Sequence, residues 1–282
     1  MDISISVYIV TMNRFEFLKR AVDSVLNQSE KDFELIIVDN GSKDETLDYL
    51  ADLVLLNPKV TCIYLDENKG ACYARNKAIE VARGKYITGM DDDDFFEHHR
   101  LHDLKKCYEE NEGCSFVFSD DNFVNQGVYV FRTKKPNRIT LEMLKYQNFV
   151  GNQVFSELSK FKSVGGFDET LLAAQDYDMW LRLVYKFGAA IKSIEISQNV
   201  ELGCGSRIST SPKKFTGYFD FYKKHKSLMS RSQRKHQLLN IKYSCRTSIS
   251  LKFFIILFSF NCISRKAKIF ISKVLKSSAY GY

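Results

Sequence analysis

The sequence predicts an α/β fold with a mainly parallel central sheet flanked by helices, followed by a basic helical appendage. Strand-like and helix-like segments alternate three times between residues 3 and 82, which indicates parallel strands joined by right-handed crossovers. The strand segments are continuous in apolar residues, as strands buried on both faces are. The charge also divides the chain. From Lys213 onward there are 16 Lys or Arg and one acidic residue, whereas residues 1–212 carry 25 basic and 33 acidic residues. We therefore expect an acidic domain at 1–212 and a basic, partly amphipathic helical tail at 213–282.

The composition indicates a globular protein. Hydrophobic residues make up 45% of the 282 residues and charged residues 27%, which argues against wholesale disorder. Seven cysteines are scattered without paired metal spacing, a pattern typical of free thiols in a reducing compartment. The chain enters a strand-like pattern at once, so we expect no secretion signal.

The first half predicts three strand–helix units. The expected elements are a strand at 3–10, a helix to about 28, a strand at 33–38, a helix to about 56, a strand at 60–65 and a helix at 71–82. Phe15, Leu18 and Val22 fall on one face of the first helix. Asp44 is the expected cap of the second helix, and Gly84 stands where a C-terminal cap of the third would.

The second half is less regular. Residues 114–119 and 127–133 read as two further strands, interpreted as an antiparallel pair. Gly165 and Gly166 predict a tight turn before a helix that begins near Gln175. On that helix Asp178 and Arg182 have the i, i+4 spacing of an ion pair.

A short strand from Gly84 ends in four consecutive aspartates, residues 91–94, which we call the carboxylate turn. Four extended residues span roughly 14 Å, and two like charges about 4 Å apart repel by ~4 kcal/mol near a protein surface. Hard divalent cations such as Mg²⁺ or Mn²⁺ relieve such repulsion and bridge to phosphates. The alternative is a solvated acidic turn in which Asp94 or its neighbour caps the next helix.

Polar residues also follow the other predicted strands. Thr11 and Asp39 end the first two, and ligands of parallel sheets gather beyond the carboxyl ends of the strands. One polar, acidic site is therefore expected at this edge. A G-x-G-x-x-G turn after the first strand is missing, which disfavours a dinucleotide dehydrogenase, and the phosphate-loop lysine motif is missing as well.

Five stretches, 7–14, 36–42, 70–76, 84–94 and 165–182, stand in a fixed order. Together they resemble the motifs of the family-two inverting glycosyltransferases, which use nucleotide-sugar donors and have the GT-A fold, a Rossmann-like architecture. The aspartates of the carboxylate turn match the D-x-D motif of that family. The resemblance covers roughly residues 3–210.

The resemblance implies a UDP-sugar site. Asp39 would hydrogen-bond the nucleobase, and Thr11 and Arg14 would line the same pocket. Asp91 and Asp92 would contact the ribose or metal-bound water.

The resemblance also implies a metal and a base. Asp93 would be the most direct ligand of Mn²⁺ or Mg²⁺, with Asp91 beside it, and Arg75 would hold the carboxylates or the diphosphate. Asp176 would accept the proton of the acceptor hydroxyl, a contribution typically worth 10²–10⁴-fold. One base and in-line displacement imply inversion, so that an α-linked donor yields a β-glycoside.

Some positions leave alternatives open. Asp176 is also a simple capping candidate at a helix N-terminus, and Asp178 is the alternative base. Gln175 stands where the family commonly has an acidic residue. Arg207 lies in a stretch that resembles a loop closing over the diphosphate, but the histidine often found there is absent.

The tail suggests membrane contact. Residues 253–264 are uncharged and lie between Lys252 and Arg265, too short a segment for the ~20 residues of a spanning helix. Such a segment suits the interface of an anionic membrane; the alternative is packing on the catalytic domain. The tail lacks a recognisable nucleic-acid-binding module, so we expect no nucleic-acid partner.

We therefore expect a metal-dependent hexosyltransferase, cytoplasmic and peripheral on the inner face of the cell membrane. It would transfer a sugar, preferably from UDP-galactose or UDP-glucose, to an undecaprenyl-diphosphate-linked or other saccharide in the biosynthesis of O antigen (lipopolysaccharide) or capsule. The alternatives are a metal-dependent nucleotidyltransferase and a non-catalytic membrane scaffold that binds UDP-sugar.

Overall fold

The computed structural model describes residues 3–203 and 214–244. These residues form two compact units. The first comprises 3–144, 148–170 and 175–203, and the second comprises 145–147, 171–174 and 214–244. The predicted domain boundary at 212/213, the stretch that contains Arg207 and the apolar segment 253–264 lie outside the described residues.

The first unit contains strands and helices in alternation. Its strands are β1 Ile5–Thr11, β2 Phe33–Asp39, β3 Val60–Tyr64, β4 Tyr86–Asp91, β5 Phe95–Phe96, β6 Val117–Phe118, β7 Asp121–Asn125, β8 Val128–Arg132, β9 Arg138–Ile139, β10 Phe155–Glu157, β11 Ala190–Lys192 and β12 Gln198–Glu201. Its helices are α1 Phe15–Leu26, α2 Thr46–Leu56, α3 Ala71–Val81, α4 Arg100–Glu109, α5 Leu141–Leu144, α6 Leu158–Ser163 and α7 Gln175–Phe187.

Eight strands form the central sheet, in the order β3-β2-β1-β4-β10-β6-β11-β9. Strands β3, β2, β1 and β4 are parallel, whereas β10 runs antiparallel between β4 and β6. The sheet is therefore mixed, with its parallel part where the three strand–helix units were predicted.

The register of the parallel strands brings the predicted site residues to one edge. Thr11 pairs with Asp39 across β1 and β2, and Val10 pairs with Asp91 across β1 and β4. The apolar segments of these strands are buried along almost their whole length. The amphipathic helix α1 packs into the same core through Leu18 and Val22, which are fully buried.

A smaller sheet has the order β5-β12-β7-β8. The predicted strand at 114–119 is reduced to β6 in the central sheet, whereas the predicted strand at 127–133 is β8 and pairs with β7. The expectation that these two segments pair with each other is therefore wrong, because they belong to different sheets.

Both predicted caps differ from the structure. The side chain of Asp44 accepts a hydrogen bond from the Thr46 amide (3.2 Å) at the start of α2, but the N-cap residue of that helix is Glu45. Gly84 does not cap α3, whose C-cap is Ala82. A Cβ atom on Gly84 would lie 2.5 Å from the Ser6 amide nitrogen, so this glycine allows the chain to approach β1 closely.

The second unit contains α8 Lys214–His225, a short 3-10 helix Lys226–Leu228 and α9 Arg231–Ser244. A Cβ atom on Gly217 would lie 2.2 Å from the Ala173 amide nitrogen, so α8 packs against 171–174 at backbone distance. Gln237 of α9 donates to the Lys145 carbonyl at 3.0 Å. Over 3–203 and 214–244, no helix has the length and hydropathy needed to cross a membrane.

Candidate active site

The carboxylate turn reverses the chain at the end of β4. Asp91 is the last residue of the strand, and the Asp94 amide donates back to its carbonyl at 3.1 Å. The next element is β5, and α4 begins only at Arg100. The alternative that Asp94 caps the next helix is therefore wrong, and Asp94 is 1% exposed.

Asp91 is the most exposed aspartate of the turn and accepts hydrogen bonds at both oxygens. Its Oδ1 accepts from Arg75 Nη2 (3.3 Å) and Gln153 Nε2 (3.1 Å), and its Oδ2 accepts from Asn152 Nδ2 (2.8 Å). These donors orient the carboxylate at the edge of the sheet.

Asp92 is held by the residues that follow β1. Its Oδ2 accepts from Thr11 Oγ1 and its Oδ1 accepts from Arg14 Nη1, both at 2.8 Å. Arg14 Nη1 also lies 3.1 Å from Asp93 Oδ2. Burial raises the pKa of Asp92 to about 6, although Arg14 opposes the shift. Thr11 and Arg14 thus position this part of the turn.

Asp91, Asp93 and Asp94 form the acidic cluster of the site. Each places a carboxylate oxygen within 4.8 Å of the others. Burial, and then the charges of Asp91 and Asp93, raise the pKa of Asp94 above its usual range. Three converging carboxylates are a donor set that suits Mn²⁺ or Mg²⁺. The residues therefore fit such an ion, and Asp94 is a candidate ligand that the sequence did not predict.

Asp39 ends β2 and is 1% exposed. Its Oδ2 accepts from the Ser42 amide at 3.1 Å, whereas none of the described residues donates to Oδ1, which is buried. An unsatisfied buried acceptor costs about 1–3 kcal/mol. This atom is therefore suited to an N–H donor from a ligand.

Arg75 of α3 joins two parts of the site. Besides Asp91, its guanidinium contacts Gln175 Oε1 (3.1 Å) and Asp176 Oδ1 (3.4 Å) through Nη1. Burial lowers the pKa of Arg75, but Asp176 and Asp91 together outweigh burial and raise it. The guanidinium therefore remains a cation between the two carboxylates.

The glycine turn aligns α3 with the segment that leads to α7. Gly165 and Gly166 have positive φ angles of 81° and 67°, as the predicted tight turn requires. Asn76, next to Arg75, accepts from the Phe167 amide (2.8 Å) and donates to its carbonyl (2.9 Å). A Cβ atom on Gly166 would lie 2.5 Å from Asn76 Oδ1, so the contact requires glycine.

Asp176 lies in the first turn of α7, and its side chain is 26% exposed. Burial raises its pKa to about 6; Arg75 opposes the shift and Asp91 adds to it. Such a carboxylate is ionised at neutral pH and more basic than an ordinary aspartate. It has the properties of a general base.

Asp178, the alternative base, is fully buried. It accepts from Arg182 Nε at 2.8 Å and lies 2.7 Å from Arg182 Nη2, as the i, i+4 spacing predicted. Arg182 also donates to the carbonyls of Val164 and Gly166. This pair holds α7 against the glycine turn, and its burial disfavours a role in proton transfer.

Several polar residues of the site were not predicted. Asn152 and Gln153 donate to Asp91, and Gln198 and Glu201 contact Asp94. Neutral amides outside a recognised motif carry no signal in a single sequence. Their roles appear only when β10 and β12 are placed beside the turn.

Comparison with known proteins gives a family. The family model "Glycosyl transferase family 2" matches residues 6–164. The chain is 38% identical over 244 residues to WcaA of Escherichia coli K12, a glycosyl transferase named for colanic acid biosynthesis, covering 84% of this chain and 86% of that protein. It is 35% identical over 122 residues to TuaG of Bacillus subtilis, named for teichuronic acid biosynthesis, covering 43% and 48%.

Solved structures give the fold. The S. aureus TarS fragment 1–349 in complex with UDP-GlcNAc matches with a TM-score of 0.65 and 17% identity, covering 86% of this chain and 81% of that one. The mannosyltransferase PcManGT of Pyrobaculum calidifontis, in complex with GDP-Man and Mn²⁺, matches with a TM-score of 0.64 and 14% identity, covering 90% and 78%. The fold and the family predicted from the sequence are thereby confirmed, and the chain belongs to glycosyl transferase family 2.

Proposed function

We propose that this glycosyltransferase is a metal-dependent inverting hexosyltransferase. It moves a sugar from a UDP-sugar to a hydroxyl of a lipid-linked saccharide and forms a β-glycosidic bond. The observation that carries the proposal is the position of Arg75, 3.3 Å from Asp91 and 3.4 Å from Asp176. The Arg75 guanidinium thus links Asp91, a carboxylate suited to binding the donor, with Asp176, a carboxylate suited to proton transfer.

On the acceptor side, Asp176 is the base. The acceptor oxygen attacks the anomeric carbon as its proton passes to the Asp176 carboxylate. The new C–O bond forms while the bond from the anomeric carbon to the diphosphate breaks, and UDP leaves. Attack from the face opposite the leaving group inverts the anomeric centre.

On the donor side, Asp39 binds the uracil base of the nucleotide, and the carboxylate turn binds the diphosphate and the sugar. The buried Oδ1 of Asp39 is matched by the N–H group of uracil, and Asp91 and Asp92 contact the ribose. Asp91, Asp93 and Asp94 would hold Mn²⁺ or Mg²⁺. When bound, such an ion offsets the charge of the departing diphosphate.

The relatives suggest the product. WcaA and TuaG are named for the biosynthesis of bacterial surface polysaccharides, which supports a role in O antigen or capsule assembly. We place the acceptor on an undecaprenyl diphosphate or a similar lipid carrier, and favour UDP-galactose or UDP-glucose as donor.

A donor screen tests the reaction. The full chain is incubated with Mn²⁺ and UDP-galactose, UDP-glucose, UDP-GlcNAc or UDP-GalNAc, and released UDP is measured with and without EDTA. Release of UDP that EDTA abolishes supports the proposal. Pyrophosphate release from a nucleoside triphosphate would favour a nucleotidyltransferase. Mn²⁺-dependent UDP binding without any product would favour a scaffold.

The basic tail is proposed to hold the enzyme at the cytoplasmic face of the membrane. Its support is the uncharged segment 253–264 between basic residues. Co-sedimentation of the full chain with vesicles tests this. Binding to vesicles with anionic lipid that weakens with salt is expected, because each basic residue near an anionic surface contributes about 1 kcal/mol. Equal binding to neutral vesicles, or none to either, contradicts an electrostatic anchor.

A further inference from the structure

Behind the carboxylate turn lies a buried cation that the proposed reaction does not use. Arg100, the first residue of α4, is fully buried. It donates from Nη1 to Ser119 Oγ (2.9 Å) and Ser197 Oγ (3.1 Å), and from Nη2 to Gln198 Oε1 (3.0 Å). All three acceptors are neutral.

No carboxylate within the described part of the chain forms an ion pair with Arg100 at 4.0 Å or less. Burying an unpaired charge is costly, and burial lowers the pKa of this guanidinium to about 10, against the opposing fields of Asp121 and Asp94. Among the described residues, the three neutral acceptors and the Phe96 ring, whose centroid lies 4.6 Å from Arg100 Cζ, compensate this charge in place of a carboxylate.

Arg100 determines which way the amide of Gln198 faces. A guanidinium has only donors, so the amide must present Oε1 to it. The Nε2 group is then directed at the acidic cluster, where it donates to Asp94 Oδ2 at 3.2 Å. Gln198 is 1% exposed in β12, between β5 and β7, so its position is fixed by the sheet.

Strand β12 holds Asp94 at both oxygens. Gln198 donates to Oδ2, and the Glu201 amide donates to Oδ1 at 3.2 Å. Asp94 in turn places an oxygen within 4.8 Å of oxygens of Asp91 and Asp93. Asn152 Nδ2 also donates to Asp94 Oδ2, at the longer distance of 3.4 Å. The chain of contacts from Arg100 through Gln198 to Asp94 is therefore the shorter of the two side-chain contacts that orient this third carboxylate.

We propose that Arg100 and Gln198 are positioning residues for the candidate metal centre: Arg100 fixes the amide of Gln198, and Gln198 fixes the Asp94 carboxylate for binding of Mn²⁺ or Mg²⁺. This inference rests on the metal dependence in the proposed function. Partners that orient metal ligands typically change metal affinity by about 10–100-fold when they are removed.

The test is a titration of the full chain with Mn²⁺ in the presence of UDP. Electron paramagnetic resonance measures the concentration of the unbound ion at each step. Gln198→Leu removes the acceptor of Arg100 Nη2 and the side-chain donor from β12 to Asp94. Asn199→Leu is the matched control, because Asn199 is the next residue of the same strand, is also buried, and hydrogen-bonds Glu97 and Asn122 instead of the aspartates.

We expect the Kd for Mn²⁺ to rise about 10–100-fold in Gln198→Leu, and to stay within about twofold of wild type in Asn199→Leu. Arg100→Met is expected to weaken Mn²⁺ binding in the same direction, with partial recovery in Arg100→Lys, which keeps a donor. Circular dichroism confirms folding, and Gln198→Met replaces the leucine variant if the latter does not fold.

Three results overturn the inference. A Kd for Mn²⁺ in Gln198→Leu within about twofold of the wild type would show that the contact with Asp94 does not set the affinity. Equal loss in both would show a merely structural effect. Failure of the wild type to bind Mn²⁺ would overturn the metal dependence in the proposed function as well, and that outcome is distinguishable because it needs no variant.

Discussion

The carboxylate turn contains four consecutive aspartates, whereas the first turn of α7 contains two, Asp176 and Asp178. In the turn, Asp91 and Asp92 each accept hydrogen bonds at both oxygens. On α7, two nitrogens of Arg182 contact Asp178 Oδ2, whereas Asp176 has one long contact among the described residues, 3.4 Å from Arg75. The carboxylate turn thus has the higher density of negative charge and the more tightly held carboxylates. On α7 the charge density is lower, and the Asp176 carboxylate has more freedom to move.

This difference distinguishes carboxylates that bind a cation from a carboxylate that accepts a proton. Carboxylates that are fixed by several donors can present oxygens to a cation without reorganising, which favours tight binding. A carboxylate that must gain a proton works best with a pKa near the operating pH and an oxygen that substrate can reach. Asp176 meets this second description and Asp178 does not, although they stand two residues apart.

The largest effect on kcat is expected from substitution of Asp176. Replacing it by alanine should lower kcat by about 10²–10⁴-fold, because the acceptor hydroxyl loses its base. Initial rates of product formation from the donor found in the screen measure this. Turnover within threefold of the wild type would exclude Asp176 as the base.

Asp178 should affect stability rather than chemistry. Asp178→Ala leaves the Arg182 guanidinium without its buried partner, and removing one member of a buried pair costs about 3–5 kcal/mol. Urea denaturation measures the free energy of unfolding. Below the unfolding transition, the folded variant should keep a kcat close to wild type; a stable variant with abolished kcat would reverse the assignments of the two aspartates.

The pH profile follows from the raised pKa of Asp176, about 6. A base must be ionised, and a raised pKa moves loss of the ionised form to higher pH. Hence kcat/KM should be level above pH 7 and fall about tenfold per unit below pH 6. A profile that stays level down to pH 4.5 contradicts an aspartate with this pKa as the base.

Substitution of Arg75 should shift the pH profile of kcat/KM, a smaller effect than the changes in rate and stability predicted above. The charge of Arg75 lowers the pKa of Asp176, so Arg75→Met should move the acidic limb of kcat/KM to higher pH. Arg83→Met is a suitable control, since Arg83 pairs with Glu34 instead. An unmoved limb in Arg75→Met would show that Arg75 and Asp176 do not interact during the reaction.

The sequence predicts the parallel half of the molecule well. The apolar strands and α1 to α3 differ from the expected bounds by one or two residues, because buried parallel strands and amphipathic helices have strong periodic patterns. The ends of β1, β2 and β4 then follow from connectivity. This is why Thr11, Asp39 and Asp91 could be assigned to one edge.

The rest depends on contacts that no local pattern encodes. β5 has two residues, and β12 has the polar sequence of Gln198–Glu201, so neither has a strand signature. Asp94 was a capping candidate because β5 was not foreseen. Gln198 and Asn152 became visible only through long-range contacts with the turn.

The central claim is that the carboxylate turn holds the donor while Asp176 reacts with the acceptor. Its most direct test is calorimetric titration of UDP in the presence of Mn²⁺, paired with single-turnover transfer, in Asp93→Asn and Asp176→Asn. We predict that Asp93→Asn loses Mn²⁺-dependent UDP binding, whereas Asp176→Asn binds UDP like the wild type and transfers sugar about 10²–10⁴-fold more slowly. Loss of UDP binding in Asp176→Asn, or wild-type transfer in either variant, would contradict this division of roles.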